Sequence, residues 1–557
     1  MQLRPYQETQ LNFLKRKYRS KDVVGLESPT GSGKSFVITE YIKYIFSKET
    51  DKTVVISTGS NNLVFEFAET AKKFGLDPII YVGSNLLTCF DIFDWDNDAV
   101  SGPHYTIDNA TGDRIQIFSP DKSKWCSTVK MSKRVVDEET GNLKICDFCR
   151  KCKLPHLKEI KEELSQSGNH LIITNHQAYL THAFGDKPVY HPDIVIVDEA
   201  HMFSTFYSNW LDTTLDKSDI NNIITALGNK PQAQLFKMFL ERGEPLPVQL
   251  MSKIIDIVRT YYKRIPAGIS YGGELCNRLS RFTFNDKNKA DIFFDIAPDH
   301  MRRVKFWSKF EIGQDQIRYR LFTATLDRFT RIMFGMNPDD YTDNFYRETN
   351  FNIIDYTKSD AFIYRINDFD TALGKFIEIC EKKDFKSGLI LSTTIENVTN
   401  LHRQKTVGKY TVYTSLKDFK EADGYKVLVG SRAMFQGIDI PEINFVALNK
   451  IPFELYDEEF QKRTQYLKRY AGIDPWSDYS IPFVKNTIIQ TTGRLWRGPD
   501  DYGIVGIFDS RLLGRFKYLM KTITDVRKGI NVYVSGNDLE LPNVEGFDDI
   551  VNDNIKE

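Results

Sequence analysis

The stretch "VVGLESPTGSGKSFVITEYI", residues 23–42, decides the fold, because a short apolar run leads into a glycine-rich turn and then into a helical pattern. Gly31 and Gly33 permit backbone conformations that a side chain would block, so the N–H groups of the turn can surround a phosphate chain. The N-terminus of the following helix adds partial positive charge. A merely structural turn explains less of this pattern than a nucleotide site in a parallel α/β sheet does.

The turn supplies the predicted contacts to ATP and its magnesium ion. Lys34 is expected to reach the β- and γ-phosphates, and Ser35 to hold Mg²⁺. The usual pattern begins with glycine, whereas Ser28 occupies that position here. The predicted nucleotide-binding residues of this phosphate loop are Ser28, Pro29, Thr30, Gly31, Ser32, Gly33, Lys34 and Ser35.

A second carboxylate site follows in "PDIVIVDEAH", residues 192–201. Residues 194–197 have the apolar composition of a fully buried parallel strand, and Asp198 comes at its carboxyl end, where ligand sites of α/β sheets form. We expect Asp198 to hold Mg²⁺ through water, and Glu199 to orient and deprotonate the attacking water. His201 would then lie near the γ-phosphate.

Composition limits the class of protein. The 557 residues suggest three or four domains, and a hydrophobic content of 41% is enough for real cores. A net charge of −1 argues against bulk coating of nucleic acid but leaves room for a local basic groove. No apolar run approaches the roughly 18 residues that span a bilayer. The N-terminal segment has the pattern of an amphipathic helix with Leu11 and Leu14 buried, so we expect a soluble, intracellular protein that is not secreted.

Three of the seven cysteines cluster in "KICDFCRKCKL", residues 144–154. This spacing opens ferredoxin-type 4Fe–4S sites, whereas zinc sites more often use two separated pairs. A cubane cluster needs a fourth thiolate, for which Cys89 and Cys126 are the candidates. A structural zinc ion, the alternative, could be completed by either of them or by His156. The three clustered candidate ligands are Cys146, Cys149 and Cys152.

Several further segments resemble motifs of superfamily 2 helicases. "LRPYQ" resembles the adenine-contacting Q motif, with Gln7 as its glutamine. Other similar segments are "VVISTGSNNLVFEF" at 54–67, "LFTATL" at 321–326, "GLILSTT" at 388–394, "VLVGSRAMFQGIDIPEINFVALNKIPF" at 427–453 and "IIQTTGRLWRGPDDYGIVGIFDSRL" at 488–512.

The last two segments resemble the XPD/DinG group of these helicases. The first contains an aromatic-x-Gly-Ile-Asp-x-Pro turn followed by Lys-x-Pro-Phe, and its Asp439 is an expected nucleotide contact. The family usually has Trp-Glu before the Gly-Ile-Asp, whereas this chain has Phe435 and Gln436. The second segment contains Gln-x-x-Gly-Arg-x-x-Arg, with Trp496 where a small aliphatic residue is more usual.

The arginines of the last segment suit phosphoryl transfer, which spreads negative charge over the γ-phosphate in the transition state. Arg494 and Arg497 are three residues apart, so on one helix they share a face from which guanidinium groups of a second domain could neutralise that charge. Gln490 lies one turn before Arg494. The alternative is a basic helix face of no special function.

The resemblance implies an α/β fold with two RecA-like motor domains built on parallel sheets, an inserted iron–sulfur domain and an inserted helical Arch-like domain. It also favours Cys89 as the fourth cluster ligand. We place motor domain 1 at 1–82, 170–211 and 301–345, the iron–sulfur domain at 83–169, the Arch-like insertion at 212–300, motor domain 2 at 346–535 and an acidic tail at 536–557.

The implied function is an ATP-dependent helicase that translocates 5′→3′ on single-stranded or forked DNA, with ATP, Mg²⁺ and a 4Fe–4S cluster as cofactors. We expect a monomer without membrane contact. Two alternatives stay open: an RNA-directed DEAH-type helicase, and a zinc-stabilised nucleic-acid-binding module whose ATPase does not unwind.

Overall fold

The computed structural model describes most of the two sheets and the helices around them. The described residues are 3–29, 31–81, 104–107, 114–117, 135–136, 143–144, 162–183, 190–264, 268–283, 291–307, 309–310, 317–337, 344–348, 359–364, 369–431, 443–454, 456–495, 502–513, 519 and 530–535.

Seven of the described strands form a parallel sheet, the core of the first lobe. Side chains alternate between its faces, so Ile56 and Ile196 pack into one apolar layer while Val55 and Val195 pack into the other. Both faces are covered, which is why the strands are continuously apolar. In spatial order the strands are Phe345–Arg347, Val24–Glu27, Arg318–Thr323, Ile194–Asp198, Thr53–Thr58, His170–Asn175 and Pro78–Tyr81.

The helices of the first lobe include the predicted amphipathic N-terminal helix, on which Leu11 and Leu14 are buried. None of the helices in the described part of the chain is both long and apolar enough to cross a membrane. The first-lobe helices are Pro5–Arg16, Lys34–Lys48, Asn61–Lys73, His176–Ala183, Ala200–Leu211 and Arg328–Met333.

A fully buried arginine, Arg320, joins the N-terminal helix to the centre of this sheet. Its Nε donates to the Tyr41 hydroxyl at 3.2 Å, and its terminal nitrogens donate to backbone carbonyls of the connection between the first helix and the first strand. A buried cation is tolerated only when its donors find acceptors, so this connection and the arginine depend on each other. The accepting carbonyls belong to Lys17, Tyr18, Ser20 and Asp22.

Between the DEAH helix Ala200–Leu211 and strand Arg318–Thr323 lies an insertion with its own apolar core. Four helices are described in this insertion, for which the sequence analysis expects a helical structure. The insertion also contains a three-stranded antiparallel sheet, which the sequence analysis did not predict. The boundary predicted at 301 falls inside a strand of this sheet. The helices are Lys217–Leu227, Pro231–Arg242, Val248–Lys263 and Gly268–Ser280, and the strands are Thr213–Leu215, Ile292–Ala297 and His300–Lys305.

Two short antiparallel strand pairs are described in the region between the first lobe's strands Pro78–Tyr81 and His170–Asn175. All five candidate cysteine ligands, Cys89, Cys126, Cys146, Cys149 and Cys152, lie outside the described residues, as does His156. The strands are His104–Ile107 with Arg114–Ile117, and Val135–Val136 with Leu143–Lys144.

In the second lobe, eight of the described strands form a sheet that is parallel except for one edge pair. Apolar layers again cover both faces. In spatial order its strands are Thr406–Val407, Tyr410–Tyr413, Lys426–Gly430, Ser387–Ser392, Phe445–Asn449, Ile504–Phe508, Ser359–Tyr364 and Ile530–Ser535. Its helices and helical turns are Phe369–Lys382, Ile395–Gln404, Leu416–Glu421, Glu458–Tyr466, Leu467–Ala471, Pro475–Ser480, Ile481–Thr492, Gly493–Leu495 and Ser510–Leu513.

Candidate nucleotide site between two lobes

The phosphate loop leaves strand Val24–Glu27 and enters helix Lys34–Lys48 through two left-handed glycines. Gly31 has a φ of 75° and Gly33 a φ of 76°, which side-chain-bearing residues rarely adopt. A Cβ atom at Gly33 would stand 2.5 Å from Nε2 of Gln7. The loop can therefore keep this shape only with glycine at position 33.

The N-terminal helix holds the loop from one side. Gln7 donates from Nε2 to the Ser32 carbonyl at 2.8 Å, and the Tyr6 hydroxyl donates to the same oxygen at 3.1 Å. The other end of the Gln7 amide accepts from the Arg4 backbone N–H at 2.9 Å. Gln7 is thus fixed against the loop, and its expected contact to adenine stays a prediction.

Lys34 lies between the loop and the acidic motif. Its Nζ is 3.4 Å from the Ser28 carbonyl oxygen and 3.6 Å from Oε1 of Glu199. A cation in this position can attract phosphate oxygens to the loop.

Asp198 and Glu199 place two carboxylates at the carboxyl edge of the sheet. Asp198 is buried, and burial together with the Glu199 charge raises its pKa to about 7, against the opposing effect of Lys34. Among the described residues, neither Oδ1 of Asp198 nor Oε2 of Glu199 has a hydrogen-bond donor. Carboxylate oxygens that lack a hydrogen-bond donor can bind a hard divalent cation, so Asp198 and Glu199 fit a magnesium ion.

His201 connects the acidic motif to the second lobe. Burial lowers the pKa of His201, so the ring is neutral near pH 7. The Gln490 amide nitrogen lies 2.5 Å from Nε2 of His201, which accepts, and Nδ1 then donates to the Thr323 hydroxyl at 2.7 Å. The Thr323 hydroxyl donates to the Thr325 carbonyl oxygen at 3.1 Å. These bonds fix the tautomer of the imidazole.

Asn486 forms a second contact between the lobes. Its Nδ2 donates to Asp327 at 3.1 Å, and its Oδ1 accepts from the Thr325 hydroxyl. The sequence analysis missed Asn486, although its position one helical turn before Gln490 could have indicated a shared face.

A cavity of about 300 Å³ lies beside these contacts, between the lobes and the base of the insertion. Polar residues of the DEAH helix line one wall. At its edge Arg302 of the insertion donates to Glu459 of the second lobe at 2.6 Å, and burial raises the pKa of the adjoining Asp212 to about 6. The lobes meet through these polar and charged groups and also through an apolar cluster, in which Phe329 of the first lobe packs with Leu467 and Ile473 of the second.

The remaining predicted residues divide into described and undescribed positions. The α-helix that carries Gln490 ends at Thr492, and Arg494 lies in the 3₁₀ turn that continues it. Thr30, Asp439 and Arg497 lie outside the described residues. Within the described part of the chain, no group of three or more His, Cys, Asp or Glu side chains is arranged to hold a metal ion.

Two family models match the chain. Residues 379–526 match the Helicase C-terminal domain, and residues 1–93 match the model named Type III restriction enzyme, res subunit. These ranges contain the last helicase-like segment and the phosphate loop, respectively.

Similar curated proteins are bacterial helicases. The ATP-dependent DNA helicase YoaA of Haemophilus influenzae is 36% identical over 93 residues, which are 16% of this chain and 14% of that protein. YoaA of Escherichia coli is 32% identical over 102 residues, 18% of this chain and 16% of that protein. The chain thus spans only 14% and 16% of the length of these relatives.

Solved XPD structures share the fold. An XPD helicase structure superposes with a TM-score of 0.62 at 15% identity, covering 96% of this chain and all 100% of the other. Xpd4 of S. tokodaii gives a TM-score of 0.57 at 13% identity, covering 95% of this chain and 100% of the other. In its motifs, its two parallel sheets and these matches, the chain is similar to the XPD/DinG-type superfamily 2 helicases.

Proposed function

We propose that this chain is an ATP-dependent DNA helicase that hydrolyses ATP between its two lobes and moves along single-stranded DNA. The observation that carries the proposal is the contact between Gln490 and His201. It brings the second lobe to within two residues of Glu199 in the acidic motif, so nucleotide chemistry and lobe movement can be coupled at one point.

The predicted site residues have distinct proposed roles. Lys34 and the N–H groups of the phosphate loop bind the phosphates, while Ser35 and Asp198 hold Mg²⁺, which supplies positive charge beside the reacting phosphate. Glu199 orients the attacking water and takes its proton. Gln7 contacts the adenine, and Asp439 lies near the nucleotide. Arg494 and Arg497 neutralise charge that develops on the γ-phosphate.

DNA as the polymer is supported by the names of the similar YoaA and DinG proteins, which are ATP-dependent DNA helicases. The resemblance to that group also supports 5′→3′ movement. A forked substrate and action as a monomer are further parts of the proposal. An RNA-directed motor would be recognised by stronger stimulation of its ATPase with RNA than with DNA.

The cysteine segment is proposed to bind a 4Fe–4S cluster through Cys89, Cys146, Cys149 and Cys152, with Cys126 as the alternative to Cys89. The donor set supports this proposal, since three thiolates at this spacing with one distant thiolate are typical of such clusters. Zinc is the alternative metal.

The decisive experiment compares the full chain with its Lys34→Ala variant. ATP hydrolysis is measured with and without single-stranded DNA, and unwinding is measured on forked DNA with tails of either polarity. We expect DNA to stimulate hydrolysis, the variant to lose stimulated turnover, and unwinding to require a 5′ tail. Turnover at the wild-type rate in Lys34→Ala would contradict the assignment of the ATP site. ATP hydrolysis without unwinding by the wild type would favour the alternative of a nucleic-acid-binding module whose ATPase does not unwind.

A further inference from the structure

A buried network of hydrogen bonds connects the phosphate loop to two residues outside the helicase motifs, Gln10 and Glu348. Gln10, on the N-terminal helix, is completely buried. Its Nε2 donates one hydrogen to the Ser28 hydroxyl at 3.1 Å and the other to Oε2 of Glu348 at 3.1 Å. The Ser28 hydroxyl donates in turn to the Ser32 hydroxyl at 2.7 Å.

The orientation of the Gln10 amide follows from its neighbours. With the amide reversed, its oxygen would face the Glu348 carboxylate, and two acceptors would meet without a hydrogen between them. The orientation in the structure leaves Gln10 Oε1 without a donor among the described residues. In this orientation both amide hydrogens of Gln10 are bonded, to Ser28 and to Glu348, and the cost is one buried oxygen without a donor in the described part of the chain.

The Glu348 end of this hydrogen-bond network is also fixed in place. The Tyr346 hydroxyl donates to Oε2 of Glu348 at 3.0 Å, and the Glu348 N–H donates to the Glu27 carbonyl at 2.8 Å. Since Glu27 ends the strand from which the phosphate loop departs, Glu348 positions Gln10 relative to the start of that loop.

The direction of the donors determines what Ser32 can offer. Gln10 can only donate to Ser28, so the Ser28 hydrogen must point to Ser32. The Ser32 carbonyl already accepts from Tyr6 and Gln7. Ser32 Oγ therefore serves as acceptor toward Ser28 and keeps its own hydrogen as a donor.

We propose that Gln10 is a positioning residue for the phosphate loop, acting through the buried hydroxyls of Ser28 and Ser32 to hold the loop in the shape that binds ATP. The presence of Ser28 where the usual loop has glycine gives this chain the hydroxyl that Gln10 needs. This inference rests on the proposed function, because it assigns a regulator of ATP affinity within the same site.

The test is a double-mutant cycle on the full chain with Gln10→Met, Ser28→Ala and the double variant. Binding of Mg-ATP is measured by titration calorimetry without nucleic acid. Each single variant should weaken binding about tenfold, the equivalent of one hydrogen bond with a buried partner left unpaired. The double variant should bind no more weakly than the weaker single variant, since both unpaired groups are gone. The turnover number at saturating ATP should change less than about twofold in Gln10→Met.

Thr9→Ala, on the exposed side of the same helix, is the matched control and should bind ATP like the wild type. Unchanged affinity in Ser28→Ala, or additive losses in the double variant, would overturn the proposal. If Gln10→Met does not fold, the Ser28→Ala result decides alone. The Lys34→Ala variant distinguishes failure of the proposed ATP site from failure of the proposed role of Gln10. Normal ATP binding in Lys34→Ala would refute the ATP site. Lost ATP binding in Lys34→Ala, with unchanged binding in Ser28→Ala, would refute only the role of Gln10.

Discussion

The Gln490 amide of the second lobe lies 2.5 Å from Nε2 of His201, two residues beyond Glu199 in the first lobe. Because the other ring nitrogen of His201 donates to Thr323, the imidazole has hydrogen bonds to both lobes at once. Any movement that separates the lobes must break the bond to Gln490, next to the proposed catalytic base.

Replacing Gln490 with alanine should lower DNA-stimulated ATP turnover by about tenfold or more, because the contact that couples the lobes is lost. ATP affinity should stay close to that of the wild type, since the phosphate loop belongs to the first lobe. Steady-state kinetics and equilibrium titration measure the two effects separately.

Gln461→Ala, an exposed glutamine on another helix of the second lobe, is the control for this experiment and should be neutral. Equal losses in binding and turnover for Gln490→Ala would instead indicate misfolding of the helix that carries it.

The buried Asp198 predicts an unusual pH dependence of stability. Burial, reinforced by Glu199, raises its pKa from 3.8 to about 7. The folded protein then holds the proton more tightly than the unfolded chain does, so this residue's contribution to the unfolding free energy falls as the pH rises through that window. Asp198→Asn stays neutral, so its advantage in Tm over the wild type should grow through the window and level off above it.

Calorimetry of the nucleotide-free and magnesium-free protein, in steps of one pH unit, checks this expectation. The exposed Asp423→Asn provides the matched substitution. A difference between Asp198→Asn and the wild type that is constant across the window would rule out a raised pKa.

Glycine at position 33 is a strict requirement of the loop geometry. Gly33→Ala combines a φ of 76° with a Cβ atom 2.5 Å from Gln7, and Gln7 is already held by hydrogen bonds at both ends of its amide. We expect ATP affinity to fall at least about tenfold, since left-handed backbone alone costs about 1–2 kcal/mol. Gly273→Ala, with open space around its Cβ, should leave affinity unchanged, and equal behaviour of the two variants would refute the argument.

The cysteine segment gives a prediction about metal removal. Iron and zinc are measured in protein purified under low oxygen, and bound iron with a brown colour is expected. Cys149→Ser should reduce iron content and unwinding more than basal ATP hydrolysis, because the cysteines lie outside the nucleotide motifs in sequence. Cys276→Ser, in the helical insertion, should retain the metal. A colourless protein with stoichiometric zinc would end the cluster proposal.

Much of the first lobe could be predicted because its signals are local. The apolar run before Asp198 is indeed a buried strand, and the glycine pattern after Glu27 is indeed a left-handed turn into a helix. In each case the structural cause, continuous burial for the strand and backbone sterics for the turn, determines residue types within about ten positions, so the pattern can be recognised locally.

Other features depend on residues that are distant in sequence and could not be predicted in this way. Gln10 and Glu348 are 338 positions apart, and only the folded sheet shows that they share a hydrogen bond. The antiparallel sheet of the insertion joins a strand before the helices to two after them, and its polar strand His300–Lys305 has little of the composition that indicates a strand.

The buried Arg320 makes residues 3–22 an inseparable part of the first lobe's folding unit. Deleting them would leave the buried Arg320 guanidinium without most of its hydrogen-bond acceptors, which would lower the free energy of unfolding by several kcal/mol. Proteolytic trimming at the amino terminus would thus abolish the proposed ATPase activity by destabilising the central strand, in addition to removing the proposed contact of Gln7 to adenine. An excised first lobe must begin ahead of the opening helix if it is to fold.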